Sequence, residues 1–136
     1  MANVFNFKPG GAFTLDEARK ILPVVVRITK QYCTKVDGLL KQLDAVEIVA
    51  DDESWRIEQE INKHIDQWKS KVEKLGLVPR GLWIGDFPCD EGYYCWKYPE
   101  TSIEFWHGKL DGYSNRQEIS VSKPKNGAKL TLQPPE

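Results

Sequence analysis

Apolar residues recur at alternating steps of three and four from Leu15 through Ala18, Leu22, Val25, Thr29, Tyr32, Val36, Leu39 and Leu43 to Val46. Such spacing winds a single stripe along a helix, and Thr29 is its one polar member. The residues Phe13-Thr14-Leu15-Asp16-Glu17 supply a start signal. Thr14 can accept from the amide of Glu17 while Glu17 reaches back to the amide of Thr14, a capping box, and Asp16 and Glu17 suit the positive end of the helix dipole. Pro23 deprives the carbonyl of Arg19 of its hydrogen bond, which predicts a bend between a short first segment and a longer second one. Gly38 weakens the helix slightly.

Asp51-Asp52-Glu53-Ser54 interrupts the stripe and offers an N-cap for a second helix, placed from about Glu53 to Leu75. Its own stripe is Ile57, Ile61, Ile65, Trp68, Val72 and Leu75, and Gly76 then fits a left-handed C-cap with Leu77 as the following apolar contact. A short connection between two long striped helices predicts an antiparallel hairpin over 13–76. Two helices alone leave much of each stripe in water. Cover is expected both from the C-terminal half and from a second copy of the chain.

After Gly81 the pattern changes to short segments rich in aromatic and β-branched residues, LWIGDF, YYCWKY and SIEFWH, separated by Pro, Gly and Asp. They predict an antiparallel meander over 81–121. An even loop at YPETSI would pair Tyr98 with Ile103, Lys97 with Glu104, Trp96 with Phe105, Cys95 with Trp106 and Tyr94 with His107. This register yields a salt pair and an aromatic pair, whereas an odd loop would set Lys97 against Ile103. Residues 122–136, SKPKNGAKLTLQPPE, are polar and Pro-rich and predict a flexible tail with at most an edge strand at Lys129 to Leu132. The expected architecture is one α+β domain over 1–136: a long bent antiparallel helical hairpin, then a small antiparallel β-meander, then the tail.

Composition narrows the function classes. Nineteen basic side chains against twenty acidic ones give a formal net charge of −1, so no bulk positive field favours nucleic acid or an anionic membrane. Cys33, Cys89 and Cys95 are odd in number and lack C-x-x-C spacing, and the opening MANVFNFKPGGAF has neither a basic nor an apolar leader region. Thiols in a reducing compartment, and hence a cytoplasmic protein, are the expectation. The longest apolar run, around Ile21 to Val26, is too short to span a bilayer.

The chain resembles domain of unknown function family 2203, a set of short prokaryotic proteins. The likeness rests on FTLDEARKILP at Phe13 to Pro23, GDFP at Gly85 to Pro88, CW at Cys95 and Trp96, Glu100, FWH at Phe105 to His107, Gly112 and Arg116. It covers roughly Phe13 to Ile119. Pro99 stands where the family has a glycine before Glu100, and Asn115 and Gln117 depart from its usual residues beside Arg116. The resemblance implies a fold boundary and picks out residues, and it implies no activity.

The chemistry therefore has to come from the side chains themselves. A metal centre of Cys95, Glu104 and His107 is opposed by strand geometry, because Glu104 and His107 differ by an odd step and point to opposite faces. There is no G-x-S-x-G elbow, glycine-rich phosphate loop or H-E-x-x-H run. His64 lies on the second helix, at the edge of its stripe. Aromatics interleaved with Arg80, Lys97 and Arg116 could stack bases, but the neutral charge opposes nucleic acid, and such a cluster serves equally as core or interface. The leading expectation is a homo-oligomeric binding or protein-interaction module, a dimer formed through the helical hairpin. The alternative is a small enzyme or a binder of small anionic ligands centred on His107 and Arg116. Its candidate residues are His107, Arg116, Asp86, Asp111 and Trp96, with His107 expected near Arg116, Asp86 or Asp111 and Glu104 away from it. No metal or cofactor is expected.

Overall fold

The computed structural model describes residues 11–46 and 51–119. Helix α1 (Leu15–Ala45) is capped by Thr14 in the expected reciprocal box: Thr14 Oγ1 accepts from the Glu17 amide at 3.1 Å, and Glu17 Oε1 accepts from the Thr14 amide at 2.9 Å. The helix continues unbroken through Pro23, whose ring lies on the exposed side. One lost bond in a helix of 31 residues is offset by the buried stripe of Ala18, Leu22, Val25, Thr29, Tyr32 and Val36.

Helix α2 (Asp51–Lys74) starts two residues before the expected Glu53, so the acidic residues form its first turn, where the helix dipole favours them. It ends in a Schellman motif. The amide of Leu77 donates to the Val72 carbonyl at 3.0 Å, that of Gly76 to Glu73 at 2.9 Å, and Gly76 takes φ 102°. The two helices pack together, and Thr29, the polar member of the first stripe, meets Trp68: the indole Nε1 donates to Thr29 Oγ1 at 2.8 Å inside the core.

Five strands follow: β1 (Val78–Gly81), β2 (Ile84–Cys89), β3 (Gly92–Lys97), β4 (Phe105–Gly108) and β5 (Gln117–Glu118), in the order β1-β2-β3-β4-β5, all antiparallel. A one-turn helix, Tyr113–Asn115, precedes β5. The three predicted strands are there. The two edge strands were not foreseen: VPRG reads as breakers, and Pro is tolerated at a sheet edge, while β5 is two residues long. The turn between β1 and β2 places Trp83 at φ 60°, held by its edge-on packing with Trp68 at 5.1 Å. One sheet face, with Phe87, Tyr94 and Trp96, packs against the helices, and Phe13 meets Phe87 edge-on at 5.3 Å. The predicted tail with its possible strand at Lys129 to Leu132 lies outside the described residues.

The β3–β4 register differs from the expected one by a single residue. The observed partners are Gly92 with Gly108, Tyr93 with His107, Tyr94 with Trp106 and Cys95 with Phe105. Lys97 therefore does not face Glu104. Ile103 is instead fully buried in the core, and the loop over 98–104 is fixed by its own hydrogen bonds. Burying an isoleucine is worth about 1.5–3 kcal/mol and an exposed ion pair about 0–1 kcal/mol, so the apolar anchor outweighs the salt pair. Glu104 accepts instead from Ser102 Oγ at 2.6 Å, and Lys97 Nζ lies over the Tyr113 ring.

Candidate functional site

A one-residue change of register exchanges the faces of a strand. It moves His107 off the aromatic face expected for it and onto the side away from the helices, where the register also places Asp86, Tyr93, Cys95 and Phe105. Asp86 and Cys95 are direct partners across β2 and β3, and His107 lies on β4 two residues beyond Phe105, the partner of Cys95. All three are buried.

Asp86 Oδ2 accepts from Arg80 Nε at 2.8 Å and lies 3.0 Å from His107 Nε2. His107 Nδ1 lies 3.0 Å from the carbonyl of Gly108. Both ring nitrogens thus face oxygen atoms. Asp86 Oδ1 is buried without a hydrogen-bond partner among the described residues. Tyr93 flanks the site, its ring 5.4 Å from that of His107, with the Arg80 guanidinium stacked 4.7 Å above it.

Arg116 closes the other side. Its guanidinium grips Glu100 with two bonds, 2.6 and 3.3 Å, lies 3.9 Å from the Phe105 ring and 4.4 Å from that of Tyr113, and approaches Cys95 Sγ at 3.9 Å. Burial and the nearby charge of Asp86 push the Cys95 thiol up to about 12, against the opposing pull of Arg116. At neutral pH Cys95 is therefore a thiol. With neither nitrogen of His107 turned to it as a base, a Cys-His-Asp nucleophile is not assembled.

Of the sequence candidates, Asp86 and His107 meet as expected, and Arg116 is joined to them only through Cys95. Asp111 is exposed in the loop after β4 and makes no described bond to the cluster, although its amide donates to Gly108. Trp96 lies on the opposite, core face, its indole donating to the carbonyl of Glu100 at 2.7 Å. Glu104 stands apart from His107, as expected. Cys95, Arg80, Tyr93 and Glu100 belong to the cluster and were not among its candidates. Asp86, Cys95 and His107 each offer one donor atom suited to a metal ion, and these three atoms lie within 4.8 Å of one another.

Among the described residues no helix is long and apolar enough to cross a membrane. A family model described as Uncharacterized conserved protein (DUF2203) matches residues 12–119. No curated protein and no solved structure matches the chain.

Proposed function

This chain belongs to the family described as Uncharacterized conserved protein (DUF2203), a description that carries no activity, and we propose that it works as a homo-oligomeric interaction module of the cytoplasm, two copies lying antiparallel along α1. The observation that carries this reading is an apolar seam at the margin of the core, with Val26 and Cys33 packed partly against the core and Leu40 open to solvent. The main stripe of α1 is largely consumed within one chain, but Val26, Cys33 and Leu40 follow one another at steps of seven beside it. Val26 and Cys33 are half-buried and Leu40 is 43% exposed. A heptad repeat of this kind suits a coiled-coil-like seam with a second helix.

Charge favours a second copy as the occupant. Residues 15–36 carry Arg19, Lys20, Arg27, Lys30 and Lys35 against Asp16 and Glu17. Residues 37–46 and 52–60, toward the far end of the hairpin, carry Asp37, Asp44, Asp52, Glu53, Glu58 and Glu60 against Lys41 and Arg56. Antiparallel pairing centred on Cys33 sets the acidic end of each copy against the basic half of the other and Val26 against the partner's Leu40. Three cysteines held as thiols fit a reducing compartment. The alternative, an enzyme or anion site at His107 and Arg116, has less support, because Glu100 already occupies the guanidinium fork and both nitrogens of His107 are engaged.

Sedimentation velocity at tens of micromolar, combined with mild oxidation, tests the reading. The expected result is a dimer that weakens in high salt and with Leu40→Asp, and that forms a disulfide-linked band lost in Cys33→Ser. A monomer throughout that range overturns it, as does a dimer that never crosslinks through Cys33.

A further inference from the structure

We propose that Asp86, Cys95 and His107 form a binding site for a thiophilic divalent cation, zinc foremost, on the sheet face turned away from the helices. Thiolate, imidazole and carboxylate together make a borderline-soft donor set that suits zinc or cobalt and disfavours magnesium and calcium, which prefer oxygen cages. Around zinc, sulfur at about 2.3 Å and nitrogen or oxygen at about 2.0–2.2 Å leave ligand atoms roughly 3.3–3.7 Å apart. The three donor atoms already lie within 4.8 Å of one another, so small side-chain rotations gather them.

Two further observations point to an ion. Asp86 Oδ1 is buried without a hydrogen-bond partner of nitrogen or oxygen among the described residues, the Cys95 thiol beside this carboxylate being a weak donor, while Oδ2 faces Arg80 and His107. An ion gives the orphaned oxygen its counterpart. His107 Nδ1 faces the Gly108 carbonyl at 3.0 Å, the arrangement by which a histidine that ligates through Nε2 is usually oriented. Nε2 is the nitrogen that faces Asp86.

Binding exchanges protons for the ion and involves no change of oxidation state. Cys95 Sγ loses its proton to solvent and forms the sulfur–metal bond, while His107 Nε2, turned from Asp86 Oδ2, donates its lone pair to the ion and gives up to solvent any proton it carries. Arg116, 3.9 Å from Sγ, stabilises the thiolate, and Arg80 keeps Oδ2 occupied so that Oδ1 is the oxygen presented. Three protein ligands leave the fourth tetrahedral position to water.

The test uses the full chain stripped with a chelator and titrated with cobalt(II) under anaerobic conditions, in the wild type and in a Cys33→Ser/Cys89→Ser variant whose only thiol is Cys95. The expected result is an ultraviolet thiolate-to-cobalt charge-transfer band in both, saturating at one equivalent and discharged by zinc. Zinc calorimetry in buffers of different ionisation enthalpy should report release of the Cys95 thiol proton, a release missing in Cys95→Ser. Cys95→Ser and His107→Gln should abolish or weaken the band, with circular dichroism showing whether the fold persists. If either fails to fold, the double variant still decides. No band at stoichiometric cobalt, or a band lost when Cys33 and Cys89 are replaced, overturns the proposal.

Discussion

His107 Nε2 lies 3.0 Å from Asp86 Oδ2, joining two buried side chains 21 residues apart across the sheet face that the helices leave uncovered. Asp86→Ala removes the acceptor from His107 and Arg80 together. Leaving a buried polar group without its partner costs about 1–3 kcal/mol, and the half-open Arg80 contributes the lesser share. Urea denaturation followed by circular dichroism should show this loss for Asp86→Ala and a smaller one for Asp86→Asn, which keeps an acceptor oxygen.

Thr29→Val tests the polar position of the helical stripe. The substitution keeps the shape and deletes the acceptor of the Trp68 indole, which stays buried. The expected cost is about 1–3 kcal/mol, the penalty of an unsatisfied buried donor, measured as a fall in the urea midpoint without a change in slope.

Arg116→Lys should behave as a disruptive change. Lysine keeps the charge but loses the two-pronged grip on Glu100 and the flat stacking between Phe105 and Tyr113. A loss of about 1–3 kcal/mol is expected from the charged hydrogen bonds. In thermal-shift assays, phosphate and small carboxylates should stabilise the wild type no more than this variant, since Glu100 already fills the fork.

Cys95 gives a pH dependence with a definite sign. Its pKa in the folded protein is raised from 9.0 to about 12, chiefly by burial, so the folded chain holds this proton more tightly than the unfolded one. The stability tied to the protonated thiol is complete below pH 9 and is lost as pH rises toward 12, by at most about 1.4 kcal/mol per pH unit. In metal-free protein, the stability difference between wild type and Cys95→Ala should shift in favour of the alanine across that interval in chemical denaturation series. A difference that stays flat from pH 9 to 11 would contradict the burial of the thiol.

The helices were legible because their signals are local and repeated: the box at Thr14 and Glu17, the left-handed Gly76 and two long stripes all appear where the sequence places them. The central strands were legible from aromatic density. The register at the YPETSI loop was not, since it depends on Ile103 finding the core, a contact made across the fold, while the visible pairing of Lys97 with Glu104 was worth too little to decide it. That one-residue difference also hid the site. The even register pairs Cys95 with Trp106, whereas the observed partners put it on the face of Asp86 and His107. The meeting of Asp86 with His107 was nonetheless foreseen, because GDFP and FWH fall on strands that flank β3. The edge strands β1 and β5 escaped notice for want of length and propensity.

Glu100 gives the loop over 98–104 a role beyond connection. Its carbonyl accepts from Trp96 on the core face, while its side chain accepts from the Lys97 amide and from Arg116 on the outer face. A single loop residue therefore rivets the two sides of the sheet together. A loop fastened on both sides cannot serve as a hinge, so disturbance of the outer cluster should be felt in the core. The Trp96 indole proton, on the other face of the sheet and linked to Arg116 through Glu100, becomes a built-in reporter: in Arg116→Lys its hydrogen exchange should quicken together with that of the Lys97 amide.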